Sequence, residues 1–416
     1  MLNVRKAYIF ILITATIWGS TLQILYIPGI GSVYPLRIIL VLYLLAGIIS
    51  FVKHGRDGEL YIYKNSILSK TNAFLTLFFC WIVVLDLFCQ KTVNTTSSFV
   101  TYSMNLLLIC CIANSTKNEE EEKVALKTII LNSLILYGLA LFESLNHVWI
   151  FRPGALTKWD INAFGLVTPI TIFGNTNNFC MFAVLTLPFF FILYKTLILR
   201  GLYLGVTLLI VTLTNCRTGY IGIALMFSVI FSIRIIKSKT KRFLLNFLVG
   251  CGAVYLFLTD DVFLANERML LWGNTLFNCF RTKFLGAGTG SAAVLNGQSY
   301  LYSVIAATQD HSVIAVHNYF LELLLETGVI GITILGLWFG GVLKKIVLYR
   351  DAYNGTFYFI GCLLLCLTSI CVSTMTDFFQ YWMFLGLIVA YIARKEIYDV
   401  NEEREETVNE NMFYSS

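Results

Sequence analysis

The sequence predicts an all-α polytopic membrane protein with about 12 transmembrane helices and one long outer loop. Of its 416 residues, 57% are hydrophobic and only 13% are charged, and the mean hydropathy is +0.76. A soluble protein of this size needs more charge to cover its surface. The apolar residues also form continuous blocks of about 20, the length that crosses a bilayer. Such blocks must be helices, because backbone groups find no water in lipid.

The apolar blocks define the predicted spans in chain order. They lie at residues 7–26, 35–52, 72–90, 97–113, 126–146, 177–195, 201–215, 218–236, 243–259, 318–343, 354–374 and 378–393. The seventh and eighth spans are separated only by a tight turn within NCRTG, residues 215–219. Continuous rather than alternating apolar runs argue against transmembrane strands.

The lysines and arginines set the predicted orientation. Placing both termini in the cytoplasm puts most of the 30 basic residues in the inner segments, as the positive-inside rule requires. Residues 1–395 then form a single transmembrane domain, and residues 396–416 form a charged tail that we expect to be disordered. The acidic run EEEE at 119–122 is interpreted as a solvated inner loop.

The outer loop, residues 260–316, begins with apolar residues at helical spacing. These residues are Phe263, Leu264, Leu271, Leu276 and Phe280. Their spacing predicts an interfacial helix that lies on the outer leaflet.

Neither the cysteines nor the net charge indicates metal or nucleic acid. The 11 cysteines include no CxxC pair, and most sit inside apolar runs, where small apolar packing is the expected role. The net charge of +6 follows the membrane topology, so it does not imply a nucleic-acid partner.

Unusual polar groups collect at the predicted outer ends of the helices, where free N–H groups and the helix dipole favour anions. They are Arg37, the string GNTNN at 174–178, Arg217, Arg268, His317 and Asp377. Because charges at membrane depth are costly and tend to mark function, they suggest an outer site for a phosphate- or diphosphate-bearing ligand.

Each of these features has a simpler alternative. An arginine such as Arg37 can snorkel to lipid phosphate, whereas Arg217 is expected to be buried in its short turn. The segment GAGTG at 286–290 can cradle phosphate or can be an ordinary glycine turn. His147 and His311 are the other outer histidines, and composition does not separate them from His317.

Four motifs resemble the bacterial O-antigen ligase and Wzy-type polysaccharide polymerase superfamily, in the order of that family. They are GNTNNFCMF at 174–182, TNCRTGYIGIAL at 214–225, ERMLLWGNTLFNCFRTKFLGAGTGSA at 267–292 and HNYFLELLLETGVIG at 317–331. The chain departs from the family pattern at Cys216, where serine is usual, and at Thr176 and Thr289, where proline is common. The resemblance spans roughly residues 165–345.

The resemblance implies a fold similar to GT-C glycosyltransferases and roles for individual residues. Arg217 and Arg268 would bind the diphosphate of the donor, and His317 would be the base or aligner for the acceptor hydroxyl. Further substrate-binding residues are expected at Arg37, Asn175, Asn177, Asn178, Trp272, Gly288, Asn318 and Glu326. Glu322 and Glu326 point away from His317 on an ideal helix, so we expect them to pair with Arg217 or Arg37.

The implied function is a membrane glycosyltransferase-type polymerase. It would join polyprenyl-diphosphate-linked repeat units into a surface polysaccharide, such as capsule, exopolysaccharide or O-antigen, on the outer face of the bacterial cytoplasmic membrane. Its partners would be that donor, a sugar hydroxyl acceptor, membrane lipid and a chain-length regulator. No cofactor is expected, and no Asp-rich motif offers a metal site.

Two alternatives stay open. An O-antigen ligase would transfer the lipid-linked glycan to a lipid-core or other acceptor. A lipid-linked oligosaccharide transporter would spread its charges through the midplane and both gates, whereas the notable groups here crowd the outer side, which favours an enzyme.

Overall fold

The computed structural model is helical over most of the residues that it describes. These are residues 2–27, 31–54, 67–89, 95–151, 161–162, 164–238, 262–298, 315–371 and 377–414, with three isolated positions between 245 and 252. The helices are α1 (Leu2–Trp18), α2 (Pro35–His54), α3 (Ile67–Phe88), α4 (Thr95–Ser115), α5 (Glu119–Asn146), α6 (Thr176–Leu193), α7 (Leu197–Leu213), α8 (Arg217–Ile235), α9 (Val262–Arg281), α10 (Ser291–Gly297), α11 (Tyr319–Tyr349), α12 (Tyr353–Cys371) and α13 (Phe379–Tyr414). Short 3-10 turns lie at Gly19–Leu22 and Thr171–Phe173.

The all-α polytopic membrane architecture is confirmed. Every predicted span except the ninth overlaps a helix, and the ninth, residues 243–259, falls almost entirely outside the described residues. The first, predicted at residues 7–26, is shorter as a helix, because α1 ends at Trp18. Seven helices of the described part are long and apolar enough to cross a membrane. A small antiparallel hairpin, β1 (Leu25–Ile27) with β2 (Gly31–Val33), joins α1 to α2.

Two helices form the centre of the bundle. Every residue from Phe378 to Ala393 at the start of α13 is buried, and so is every residue from Phe179 to Ile192 in α6. Helix α13 packs against α1, α3, α4, α6, α11 and α12. A helix that is apolar on all sides must be surrounded by others, which explains why these two lie inside.

The acidic run at 119–122 is not the solvated loop that the sequence suggested. It forms the first turn of α5, where the Asn118 side chain and Glu121 make a capping box. Glu121 pairs with Arg5 Nε at 2.7 Å, and Glu122 is buried in an ion pair with Arg394. The positive potential of a helix N-terminus stabilises carboxylates in the first turn. A buried carboxylate such as Glu122 also needs a cation as its partner.

The C-terminal segment, which the sequence analysis expected to be disordered, is helical. Helix α13 continues without a break to Tyr414. Two contacts hold the beginning of this extension against α11: Lys345 Nζ lies 2.9 Å from a Glu396 oxygen, and the Tyr349 hydroxyl donates to Asp399 at 2.9 Å. Glutamate and arginine favour helix, and extending an existing helix avoids the cost of nucleating a new one.

The outer loop begins with the predicted helix, α9. Its polar residues Asn274, Thr275 and Asn278 are buried against the protein, whereas Phe277 and Phe280 are largely exposed. This inverted arrangement places an apolar face away from the chain, as expected for a helix at a membrane surface.

Candidate functional site

His317 lies directly before α11 in a fixed backbone geometry. Its φ of 55° is in the left-handed region, which is uncommon for residues other than glycine. Asn318 is the N-cap of α11, and its Oδ1 accepts hydrogen bonds from the N–H groups of Phe320 and Leu321 at 3.1 and 3.2 Å. The structure therefore gives Asn318 the role of a helix cap, which holds His317 at the mouth of the helix.

Arg268, on α9, is close enough to His317 to act on its charge. Burial and the nearby Arg268 guanidinium lower the pKa of His317 to about 4. Among the charged groups of the described residues, Arg268 is the one that produces this effect. The imidazole is thus neutral near pH 7 and available to accept a proton.

Two buried polar atoms of this region lack a partner. Trp272 follows Arg268 by four residues on α9, so the two side chains share a face of the helix. Trp272 Nε1 and His317 Nδ1 have no hydrogen-bond partner among the described residues. Buried polar groups are normally satisfied, so unsatisfied ones indicate a place where a polar ligand binds.

The glycine turn, residues 286–290, docks onto a break in α11. Gly328 has φ 70° and ψ −176°, so the helix is interrupted there. Ala287 N–H donates to the Leu325 carbonyl at 2.8 Å, Gly288 N–H donates to the Glu326 carbonyl at 3.0 Å, and Val329 N–H donates to the Phe284 carbonyl at 2.9 Å. The turn therefore satisfies backbone groups that the break leaves without helical partners.

The N–H groups of Ala287, Gly288 and Thr289 all donate within the protein, which favours the ordinary glycine turn over the phosphate cradle. Thr289 N–H donates to Asp86 Oδ1 at 2.8 Å, and Ala292 N–H donates to Glu326 Oε1 at 3.3 Å. The anions in this backbone nest are thus two carboxylates of the protein itself.

Glu326 joins this turn to the bundle. Its Oε2 accepts a hydrogen bond from the Tyr102 hydroxyl at 2.9 Å. Its contacts are therefore a tyrosine hydroxyl and backbone amides, and not the arginine that the sequence led us to expect. Glu322 is also buried, and its Oε2 has no hydrogen-bond partner in the described part of the chain.

Arg37 is buried at the start of α2, with 8% of its surface exposed. Its guanidinium stacks over Tyr34 at 4.8 Å and donates to Thr101 Oγ1 at 3.5 Å. Asp377 lies within electrostatic range of it. The alternative of an arginine that snorkels to lipid therefore does not fit.

Arg217 is the first residue of α8 and is exposed, which corrects the expectation that it is buried. The turn before it is tight, with Asn215 in the left-handed region and Cys216 buried, so the Arg217 side chain points outward. Helix α8 packs on α6, α7 and α12, whereas α9 packs on α11. Helix α12 packs on both α8 and α11, so it links the helix that begins with Arg217 to the helix on which α9 packs.

The GNTNN string opens α6 as predicted. Asn175 Oδ1 caps the helix by accepting from Asn177 N–H at 2.8 Å. Asn178 Oδ1 is buried and has no hydrogen-bond partner among the described residues. Of these three asparagines, Asn178 is the one with a buried atom left for a ligand.

Sequence reasoning missed Asp86, Trp81 and Tyr102, which hold the glycine turn and the helix break. Trp81 Nε1 donates to the Thr327 carbonyl at the break, at 2.7 Å. Asp86 is the one acidic residue inside the predicted span 72–90. A carboxylate in such a span is costly unless it has a partner, and that signal could have identified it.

The segment that contains this site matches a known family. Residues 202–336 match the family model described as O-antigen ligase. The match confirms the resemblance seen in the motifs and supports an O-antigen ligase or polymerase type of function in general. It covers Arg217, Arg268 and His317 but neither Arg37 nor the asparagines of GNTNN.

The O-antigen ligase match implies a membrane enzyme of the glycosyl-transfer type with a lipid-linked glycan substrate. No curated protein sequence matches the chain significantly. Among the described residues, no three His, Cys, Asp or Glu side chains form a group that could hold a metal ion.

Proposed function

We propose that this protein is a glycosyltransferase-type polymerase, independent of metal, that joins polyprenyl-diphosphate-linked repeat units on the outer face of the cytoplasmic membrane. The observation that carries the proposal is the Arg268–His317 pair. It places a cation beside a buried neutral imidazole within the segment that matches the O-antigen ligase family.

Arg268 supplies the charge that the donor needs. A guanidinium binds diphosphate oxygens through paired hydrogen bonds and stabilises the negative charge that develops on the leaving group. Arg217, at the N-terminus of α8, is the second proposed diphosphate ligand, since the helix end adds its own positive potential. Trp272 and Asn178 contribute buried polar atoms toward the substrate.

His317 acts on the acceptor. In the proposed step the imidazole takes the proton of an acceptor hydroxyl while the hydroxyl oxygen bonds to the anomeric carbon. The bond from that carbon to the diphosphate oxygen breaks, and polyprenyl diphosphate leaves with the electron pair. Donor binding prepares this step, because its negative charge offsets Arg268 and raises the pKa of His317 from about 4.

An apolar cleft beside the glycine turn suits the isoprenoid part of the donor. Its volume is about 800 Å³. Its lining includes Trp81, Phe88, Leu285 and Leu295. A hydrocarbon chain binds such a surface by the hydrophobic effect, in keeping with a substrate that arrives through the membrane.

Transfer to another acceptor is the second candidate, because the matching family model is described as O-antigen ligase. Both candidates are tested with purified protein, a polyprenyl-diphosphate-linked repeat unit and excess chelator. A ladder of products supports the polymerase. A single product that forms only with an added lipid-core acceptor supports the ligase. Movement of intact donor across a vesicle membrane without new linkages would contradict both and indicate a transporter.

A further inference from the structure

Asp86 fastens the glycine turn to the transmembrane bundle. Its Oδ1 accepts from Thr289 N–H at 2.8 Å, and its Oδ2 accepts from the Thr289 hydroxyl at 2.6 Å. Thr289 is fully buried, and its Oγ1 also donates to the Thr95 carbonyl at 3.2 Å. Bonds to a charged carboxylate are among the stronger hydrogen bonds in proteins, so this contact ties the turn firmly to α3.

The glycine turn also positions α9, the helix that carries Arg268, through α10. Helix α10 follows the turn, and its Asn296 Oδ1 accepts from Asn274 Nδ2 of α9 at 2.9 Å. Asn296 Nδ2 donates to Thr275 of α9 at 3.1 Å. All three side chains are buried, so the contacts between α9 and α10 are shielded from water.

A small separate core connects the same unit to His317. It consists of Cys279 of α9, Ala292 of α10, Leu325 of α11 and Val316, the residue directly before His317. Phe284 and Ala287, next to and within the turn, pack against it. The turn, α9, α10 and the backbone before His317 are thus one packed unit, and a shift of the turn moves Arg268 relative to His317.

We propose that Asp86 is a positioning residue for glycosyl transfer: by anchoring Thr289 it fixes the glycine turn to α3 and keeps Arg268 beside His317. This inference rests on the proposed function. Asp86 does not contact substrate in this scheme, and it acts only through the turn.

The test measures the pKa of His317 directly, without any glycan. The chain has four histidines, so a purified sample with labelled histidine gives few resonances, and His317→Asn assigns the one of interest. Asp86→Leu removes both hydrogen bonds to Thr289. We expect the pKa of His317 to rise from about 4 toward the ordinary 6.5, because Arg268 retreats and water enters. Loss of the Asp86 negative charge alone would lower this pKa, so the sign separates the two effects.

Two matched variants sharpen the comparison. Asp86→Asn loses the charge but keeps an oxygen for Thr289 N–H and offers an amide to the Thr289 oxygen, so the pKa of His317 should not rise. Thr71→Val removes the hydrogen bond from Trp338 Nε1 to Thr71 Oγ1 at 3.0 Å. That contact joins α3 to α11, away from the turn. It controls for destabilisation, and the pKa of His317 should not change.

Kinetics complete the test once transfer is established. Asp86→Leu should reduce kcat by about ten- to a hundredfold with a smaller change in KM, because misplaced catalytic groups lose rate. If Asp86→Leu does not fold, Thr289→Val removes the hydroxyl bond and is measured instead. The positioning role would be overturned if the pKa of His317 were unchanged or lowered in Asp86→Leu or, where that variant does not fold, in Thr289→Val. An equal rise of this pKa in Thr71→Val would overturn it as well. Failure of the unmodified protein to transfer glycan would overturn the proposed function but leave the pKa result readable.

Discussion

At the scale of single residues, the site depends on an imidazole kept neutral by its surroundings. His317 is the candidate base because burial and Arg268 lower its pKa and keep the imidazole neutral, and Asn318, the next residue, caps α11. His311, the competing outer histidine, lies outside the described residues, and His147 is exposed.

Replacing His317 should abolish most glycan transfer. His317→Asn is the variant to use, because asparagine tolerates the left-handed backbone and avoids added strain. Loss of a general base typically costs about 10²- to 10⁴-fold in rate. The measurement is initial transfer rate with the lipid-linked repeat unit. His147→Asn is the matched control, since His147 is also left-handed and exposed, and it should retain full activity.

The pH dependence of kcat and kcat/KM should show how donor binding changes the pKa of His317. In the free enzyme the lowered pKa keeps His317 neutral until the pH falls to about 4, so kcat/KM should decline only there. In the donor complex the diphosphate offsets Arg268, so the acid limb of kcat should lie at higher pH. Coincident acid limbs for kcat and kcat/KM would contradict this arrangement. Arg268→Gln should move the acid limb of kcat/KM upward.

At the scale of elements, the break in α11 and the glycine turn are two halves of one structure. Gly328 lacks room for a side chain, since a Cβ there would lie 2.4 Å from the carbonyl carbon and oxygen of Leu285. The glycines at 286, 288 and 328 are therefore explained better by the close packing of the turn against the break in α11 than by phosphate binding.

Gly328→Ala should disrupt the docking of the turn. The added methyl group clashes with backbone, and φ of 70° disfavours alanine, so we expect destabilisation of several kcal/mol together with loss of transfer. Gly336→Ala in the same helix is the control, because a Cβ there meets nothing within 4 Å. Thermal unfolding in detergent should show a lowered Tm for the first variant only. Equal Tm values for both variants would mean that the turn is not docked as described.

At the scale of the whole molecule, a buried ion pair joins the first and last parts of the bundle. Arg394 of α13 pairs with Glu122 of α5 and donates from Nη1 to the Thr116 carbonyl at 2.6 Å. The Tyr358 hydroxyl of α12 donates to the same Glu122 carboxylate. Three helices therefore share one pair of charges.

Arg394→Met should destabilise the fold strongly, because it leaves the Glu122 carboxylate buried without its cation. Removal of one partner of a buried pair typically costs about 3–5 kcal/mol. The double variant Arg394→Met with Glu122→Leu should recover much of the loss. Lys123→Ala, which breaks the exposed pair with Glu120, is the control and should leave Tm unchanged. A double variant no more stable than the single one would show that the charge is not the cause.

The sequence predicted many of the spans well because each is a long apolar block. Helix α4, predicted at residues 97–113, runs from Thr95 to Ser115, and α6, predicted at residues 177–195, runs from Thr176 to Leu193. The sequence predicted the proximity of Arg268 and His317 only through family resemblance. It could not predict that Asp86 and Glu326 fill the nest of the glycine turn, because those contacts join residues far apart in the chain. The burial of Glu122 was missed for the same reason, since its partner Arg394 comes near the other end.

The distance along the chain between Asp86 and Thr289 also orders events during synthesis. The two residues are separated by 203 positions. A ribosome that adds about 5–20 residues per second needs roughly 10–40 s to cover this interval. For that time the Asp86 carboxylate sits at the end of an inserted span without the group that finally satisfies it. The proposed catalytic arrangement is therefore completed late, and we expect membrane quality control to recognise nascent chains that stall before Thr289.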